Sequence, residues 1–159
     1  MYLLIITIGL CLAYVFFYFL FPLFFRNTTV ALSAKSLYSI LYIVIFIFLA
    51  YEISLRVADY ELSNRFLHIF GGGFVSFLIC FLAVKDSKLS LGRFQFFIFG
   101  VLLAIALGVA NEILEFFLQR YFNMDFAKTA TDTWLDLISN TVGALIAAAC
   151  LTPFIKKST

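Results

Sequence analysis

NEILEFFLQRYFNMDFAKTATDTWLDLISN, residues 111–140, is the stretch on which the reading of this chain turns. It carries five of the nine acidic residues, Glu112, Glu115, Asp125, Asp132 and Asp136, and it joins the end of one long apolar run to the start of the next. Carboxylates in such a position face water, face a cavity or pair with another group, because hydrocarbon does not accept them. Any chemistry beyond residence in a bilayer is expected here.

Working outward, the 159 residues are 64% hydrophobic and 13% charged, with a mean hydropathy of +1.08. Ordinary globular chains carry about 25% charged residues, so a soluble domain is excluded. The net charge of +2 and the absence of a basic stripe or RNA-binding motif speak against nucleic acid. The three cysteines, Cys11, Cys80 and Cys150, lie inside apolar runs without disulfide or zinc-ligand spacing and read as small hydrophobes. The first 25 residues lack a basic start and a small-residue cleavage site, so they read as a retained membrane helix.

A spanning helix needs roughly 20 apolar residues. Five segments qualify, at about 2–25, 37–55, 65–84, 94–119 and 134–155. They are continuous runs rather than ten-residue alternations, which excludes a β-barrel. The expected fold is therefore all-α: a polytopic integral membrane protein with five transmembrane helices in a single membrane domain, 1–159. Arg26, Lys35, Lys85, Lys88, Arg93, Lys156 and Lys157 fall on one face, seven in all, against Arg56, Arg65, Arg120 and Lys128 on the other. By the positive-inside rule the N-terminus is outside and the C-terminus cytoplasmic. The polar ends of segments three to five then look outward.

Those ends are patterned. Glu112, Glu115 and Gln119 share one helical face, and so do Asp132, Asp136, Asn140 and Gly143. Asn64 and His68 are four apart, with Gly71 and Gly72 continuing that face. If the three faces meet, they form a cleft open to the outside. Glu112 follows fifteen apolar residues, 96–110, and sits roughly 27 Å along its helix. Glu112, Asp136 and His68 are the candidate catalytic residues. Glu115, Asp132, Asn140, Asn64 and Arg65 are candidates to bind or orient. A hard divalent cation such as Mg²⁺, Mn²⁺ or Ca²⁺ would find oxygen ligands in Glu112, Glu115, Asp132 and Asp136, with His68 added. The same groups could run acid–base chemistry.

Plainer roles compete. Thr133 and Asp136 stand as N-cap and N3, with Asp132 an alternative cap. Glu115 can pair with Arg120 or Arg65, and Glu52 with Arg56 four residues on. Gly71–Gly73, Gly100/Ala104/Gly108 and Gly143/Ala147 read as small-residue surfaces that bring segments three, four and five into a tight core, with the first two wrapped around it. Trp134 and the tyrosines near segment ends suit the interfacial belt. No Glu-x-x-His pair, His-Glu-x-x-His pair, Gly-x-Ser-x-Gly elbow or phosphate loop is present.

SNRFLHIFGGGFVSFL (63–78), GVANEILEFF (108–117) and ATDTWLDLISNTVGAL (130–145) together resemble the VanZ-like family and its YjdF-like relatives, small polytopic bacterial membrane proteins. The likeness covers a core of about 63–148 and rests on His68, Glu112, Glu115, Asp132, Thr133, Asp136, Asn140 and Gly143. Two features depart from the pattern: Asn64 stands where relatives often carry Asp, and the Gln-Gly-Asp run before the last helix is missing. The resemblance implies a bacterial inner or plasma membrane and cell-envelope chemistry, with a lipid-linked or envelope substrate as partner. It assigns no reaction, so enzymatic character and homo-oligomerisation stay open. A non-enzymatic assembly protein held by interhelical hydrogen bonds is the competing reading. A small transporter ranks third, since the inner halves of the helices offer almost no polar residues.

Overall fold

The computed structural model describes residues 2–26, 29–87, 89–124 and 129–155. Helix α1 spans Tyr2–Leu20, α2 Leu23–Arg26, α3 Ala34–Ser54, α4 Tyr60–Phe66, α5 Val75–Asp86, α6 Arg93–Phe122 and α7 Ala130–Leu151. A π-helical segment, Leu67–Phe74, joins α4 to α5 without a break, and a 3₁₀ turn, Thr152–Phe154, closes α7. No strand occurs among the described residues. Four helical rods, Ala34–Ser54, Tyr60–Asp86, Arg93–Phe122 and Ala130–Phe154, are long and apolar enough to cross a membrane. Counting α1 as the first, they are the second to fifth rods and correspond to the second to fifth expected segments. The first expected segment is divided at Pro22, which has no N–H to continue the helix, into the 19-residue α1 and the short α2.

Local chemistry sets the ends. Ser33 caps α3 in a reciprocal pair with Ser36: the Ser36 N–H reaches Ser33 Oγ at 3.3 Å and the Ser33 N–H reaches Ser36 Oγ at 2.8 Å. Asp59 caps α4 by accepting from the Leu62 N–H at 2.7 Å. Helix α6 stops where Asn123 takes a left-handed conformation, φ 54°. Helix α7 is capped by Thr129, which accepts from the Asp132 N–H at 3.2 Å. This corrects the expected capping box at Thr133. The helix starts four residues before residue 134, so Asp132 and Asp136 lie inside it with their carboxylates free for other partners. Glu52 and Arg56 form no ion pair either, because α3 ends at Ser54 and Arg56 is no longer on its face.

The core lies where the sequence places it, among the third, fourth and fifth rods. Helix α6 buries Phe96, Gly100, Ala104, Gly108 and Glu112, one residue every four. Helix α7 buries Gly143, Ala144, Ala147 and Ala148. Backbones touch here: a Cβ on Gly73 would run into the Asn140 carbonyl, and one on Gly143 into the Ile69 carbonyl. Gly71 does not continue the face of His68 as expected; it turns toward Ala50 and Leu67. The i→i+5 bonding of the π segment places more residues in each turn than an α-helix, so Gly72 and Gly73 take the α7 side instead. Outside this core, Tyr18, Phe21, Ile43 and Ile47 bury α1 and α3 against α5 and its neighbours. Leu12, Leu41, Leu102 and Ile138 are exposed, a surface that suits lipid rather than water.

A second polar cluster sits about 27 Å from His68, counting 18 residues along the rod. Asp86, with a 3% exposed side chain, accepts from Tyr18 Oη at 2.6 Å and from Ser39 Oγ, and pairs with Lys35 Nζ at 2.9 Å. It ties α5 to α1 and α3.

The close approach gives a sharp expectation. Gly143→Ala should prevent docking of α7 on the π segment and cost more than about 3 kcal/mol, in the range of severe core changes. Gly9→Ala, inside α1 with nothing within 4 Å of its Cβ, should keep stability or raise it by up to about 1 kcal/mol. Thermal melts of the two variants in detergent would check this, and equal melting points would refute it.

Candidate functional site

The site is built at the start of the third rod, the end of α6 and the start of α7. Arg65, in the last turn of α4, directs its guanidinium to α7. It pairs with both Asp132 and Asp136 and donates to the Asp132 carbonyl at 3.2 Å. The three side chains are 16%, 12% and 2% exposed respectively. The residue just before it on α4, Asn64, donates from Nδ2 to Asp136 Oδ1 at 3.0 Å. Asp136 is thus the hub of the cluster, and Arg65 supplies the charge that lets it be buried.

One turn beyond Arg65, His68 enters the same hub. Its Nε2 lies 3.2 Å from Asp136 Oδ1, and its Nδ1 lies 3.2 Å from Asn140 Nδ2. With the Asn140 amide donating, the ring proton sits on Nε2 and points at Asp136, and the Nδ1 lone pair points the other way. The Asn140 amide is held between two glycines: a Cβ on Gly72 would strike its oxygen, and one on Gly108 would press on its Cβ and Nδ2 at 3.2 Å. The glycines that allow helix packing therefore also shape the site.

Helix α6 contributes the remaining carboxylates. Glu112 is 7% exposed. Its Oε1 stands 3.9 Å from His68 Nδ1 and accepts no hydrogen bond. Glu115 accepts from Asn111 Nδ2 at 2.7 Å, not from Arg120 or Arg65 as the spacing suggests. Arg65 is committed to the aspartates of α7, and Asn111 lies one turn before Glu115 on the same face. One donor atom from each of His68, Glu112 and Glu115 falls within 4.8 Å of the others. Beside them an open cleft of about 700 Å³ separates the ends of α6 and α7; Glu112, Glu115, Gln119, Arg120, Thr133 and Trp134 are among its walls.

The three polar faces do meet, and they bring together all eight candidate residues. They divide them in two. Asp132 and Asp136 both pair with Arg65, whereas among the described residues no Lys or Arg pairs with Glu112 or Glu115. Asp125 lies outside the described residues. Sequence reasoning missed Asn111 and Thr129. An i, i+4 pair with Glu115 signals the first, and the run of threonines at 129, 131 and 133 hides the second.

A family model described as Predicted membrane protein (DUF2238) matches residues 3–157 of the chain. The chain belongs to this family. No curated protein and no solved structure matches it. With its four long apolar rods, this member of the DUF2238 family is a multi-pass membrane protein of the lipid bilayer.

The Arg65 bridge makes a prediction for this DUF2238 protein. Arg65→Ala leaves two buried carboxylates unpaired, which costs about 3–5 kcal/mol and lowers the melting temperature. Adding Asp136→Asn to Arg65→Ala removes one of the stranded charges and should restore part of the loss. A double variant melting no higher than Arg65→Ala would show that the pair does not carry this burial.

Proposed function

We propose that this protein binds or acts on a membrane-associated cell-envelope component at the outer face of a bacterial plasma membrane. In this reading the chain forms one membrane domain, α1 is a fifth crossing, and the N-terminus is outside with the C-terminus in the cytoplasm. Seven Lys and Arg on one face against four on the other support that orientation; of these, Lys88, Lys128, Lys156 and Lys157 lie outside the described residues. The likeness of 63–78, 108–117 and 130–145 to VanZ-like and YjdF-like proteins supports an envelope setting.

One observation carries the reading: the unpartnered Oε1 of Glu112, buried beside His68 at the wall of a cleft. A buried carboxylate oxygen with no donor is a cost that packing alone does not explain. Such local conflicts concentrate where a ligand or a reacting group completes the site. Glu112 and His68 are assigned as the working groups, as acid–base partners or as ligands. Glu115 lines the approach. Asn64, Arg65, Asp132, Asp136 and Asn140 hold the imidazole in place. Trp134, 66% exposed at the start of α7, gives the cleft an aromatic lip at the depth where indole rings meet lipid headgroups.

The assembly reading draws on the Arg65–Asp132–Asp136 network, which joins helices without needing a ligand. The two readings differ at Glu112. For a functional group, Glu112→Gln replaces an unpartnered carboxyl by an amide and should leave the melting temperature equal or higher, as substitutions at strained sites do. The same variant should lose any lipid-linked species that co-purifies with the wild type in mild detergent, read by native mass spectrometry. A Glu112→Gln protein that melts lower and keeps an unchanged lipid profile would favour assembly.

A further inference from the structure

We propose that His68 Nδ1, Glu112 and Glu115 hold one divalent transition cation, bound on the cleft side of the site. The inference deepens the reading above by naming the partner of the unpaired carboxylates, and it rests on that reading only for what the bound cation is used for. Three observations carry it. The three donors lie within 4.8 Å of one another. Donors around a cation at about 2.1 Å sit about 3.4 Å apart, so the two glutamates need draw in by only about an ångström. Glu112 Oε1, inside a 6% exposed side chain, is aimed at Nδ1 with no donor of its own. And the other nitrogen of the ring, Nε2, is held by Asp136 at 3.2 Å, the carboxylate–imidazole arrangement that fixes a metal-bound histidine and raises its basicity.

The structure also separates ligands from non-ligands. Of the five residues with suitable chemistry, Asp132 and Asp136 are occupied by Arg65, whose positive charge beside them disfavours a second cation there. Among the described residues no Lys or Arg pairs with Glu112 or Glu115, so a divalent ion that displaces their protons would be balanced by the two carboxylates. Asn140 provides a fourth donor. Its Oδ1 has no partner, and a half-turn of the amide frees the Nδ1 lone pair and puts that oxygen beside the cation. One imidazole with carboxylate and amide oxygens favours Zn²⁺ or Mn²⁺ over Mg²⁺ and Ca²⁺, which take oxygen alone. Three protein ligands leave a fourth position facing the cleft, as catalytic zinc sites do; with Asn140 added, only a five- or six-coordinate ion keeps one open.

The test uses full-length protein in detergent, stripped with EDTA and titrated with Mn²⁺ or Zn²⁺ by calorimetry, with Mg²⁺ and Ca²⁺ as comparison. We expect one saturable site, a dissociation constant at least about 10-fold tighter for Zn²⁺ or Mn²⁺ than for Mg²⁺, and a nitrogen coupling in the electron paramagnetic resonance of the Mn²⁺ form. Glu112→Gln and His68→Gln should each weaken binding at least 10-fold, and His68→Gln should remove the nitrogen coupling. Glu115→Gln, which keeps its acceptor for Asn111, provides a folded variant should either of the others fail to fold, and it too should weaken binding. Glu52→Gln, at an exposed position of α3, should bind as wild type. Absence of saturable binding at millimolar cation, or equal binding by wild type and Glu115→Gln, overturns the proposal. Either result is independent of whether a lipid-linked species co-purifies, so failure of the cation site and failure of the envelope reading can be told apart.

Discussion

Contact between two backbones organises this molecule. The π-helical segment and α7 meet at Gly73 against the Asn140 carbonyl and at Gly143 against the Ile69 carbonyl, with no room for a methyl group at either place. Between helices in lipid there is no hydrophobic drive, since acyl chains are as apolar as leucine, so close van der Waals approach must provide the attraction. The same approach brings His68 within 3.2 Å of both Asp136 and Asn140. Packing and site are therefore one construction. A side chain at Gly72 or Gly73 would not only loosen the helices but displace the amide that addresses the imidazole.

Burial of charge in so apolar a setting then needs an internal accounting of partners. Arg65 answers for Asp132 and Asp136, and Asn64 adds a donor to Asp136. Arginine suits this role because its planar fork addresses two carboxylates while staying charged. Nothing equivalent stands beside Glu112 and Glu115; the second receives an amide hydrogen from Asn111, and Oε1 of the first receives none. The described acids of 111–140 thus divide into a pair on α7 joined to Arg65 and a pair on α6 without such a partner, although they are alike in sequence and adjacent in space.

That division explains what could be read beforehand. The spans were legible because a bilayer demands long apolar runs, and the polar ends stood out against them. The faces were legible in α6 and α7 because both are regular α-helices: Glu112 shares the buried row with Gly108 and Ala104 as spacing requires. The third rod was not, because its π segment shifts every residue after Leu67 and turns Gly71 away from α7. The start of α7 was misplaced because Thr129 and Thr133 offer the same hydroxyl, and only tertiary packing decides between them. Partners from distant parts of the chain, such as Arg65 for Asp136 or Tyr18 and Ser39 for Asp86, follow from helix rotation, which hydropathy does not encode.

The two ends of the bundle make the last contrast. Asp86 is as deeply buried as Glu112, yet Tyr18, Ser39 and Lys35 meet both of its oxygens. The fold can evidently saturate a carboxylate within this bundle by drawing donors from two neighbouring helices. That Glu112, at the other end, is left with an empty acceptor is therefore not a general shortage of donors among apolar helices. At that end the unpartnered oxygens of Glu112, Asp132 and Asn140 gather beside an imidazole, a second carboxylate and an open cleft. A buried carboxyl left incomplete beside an opening is one that a group from outside the chain can complete, as the proposed cation would. This is the physical reason for locating the work of the protein between α6, α7 and the π segment, and for treating the Asp86 cluster as a clasp that holds α1 and α3 to the core.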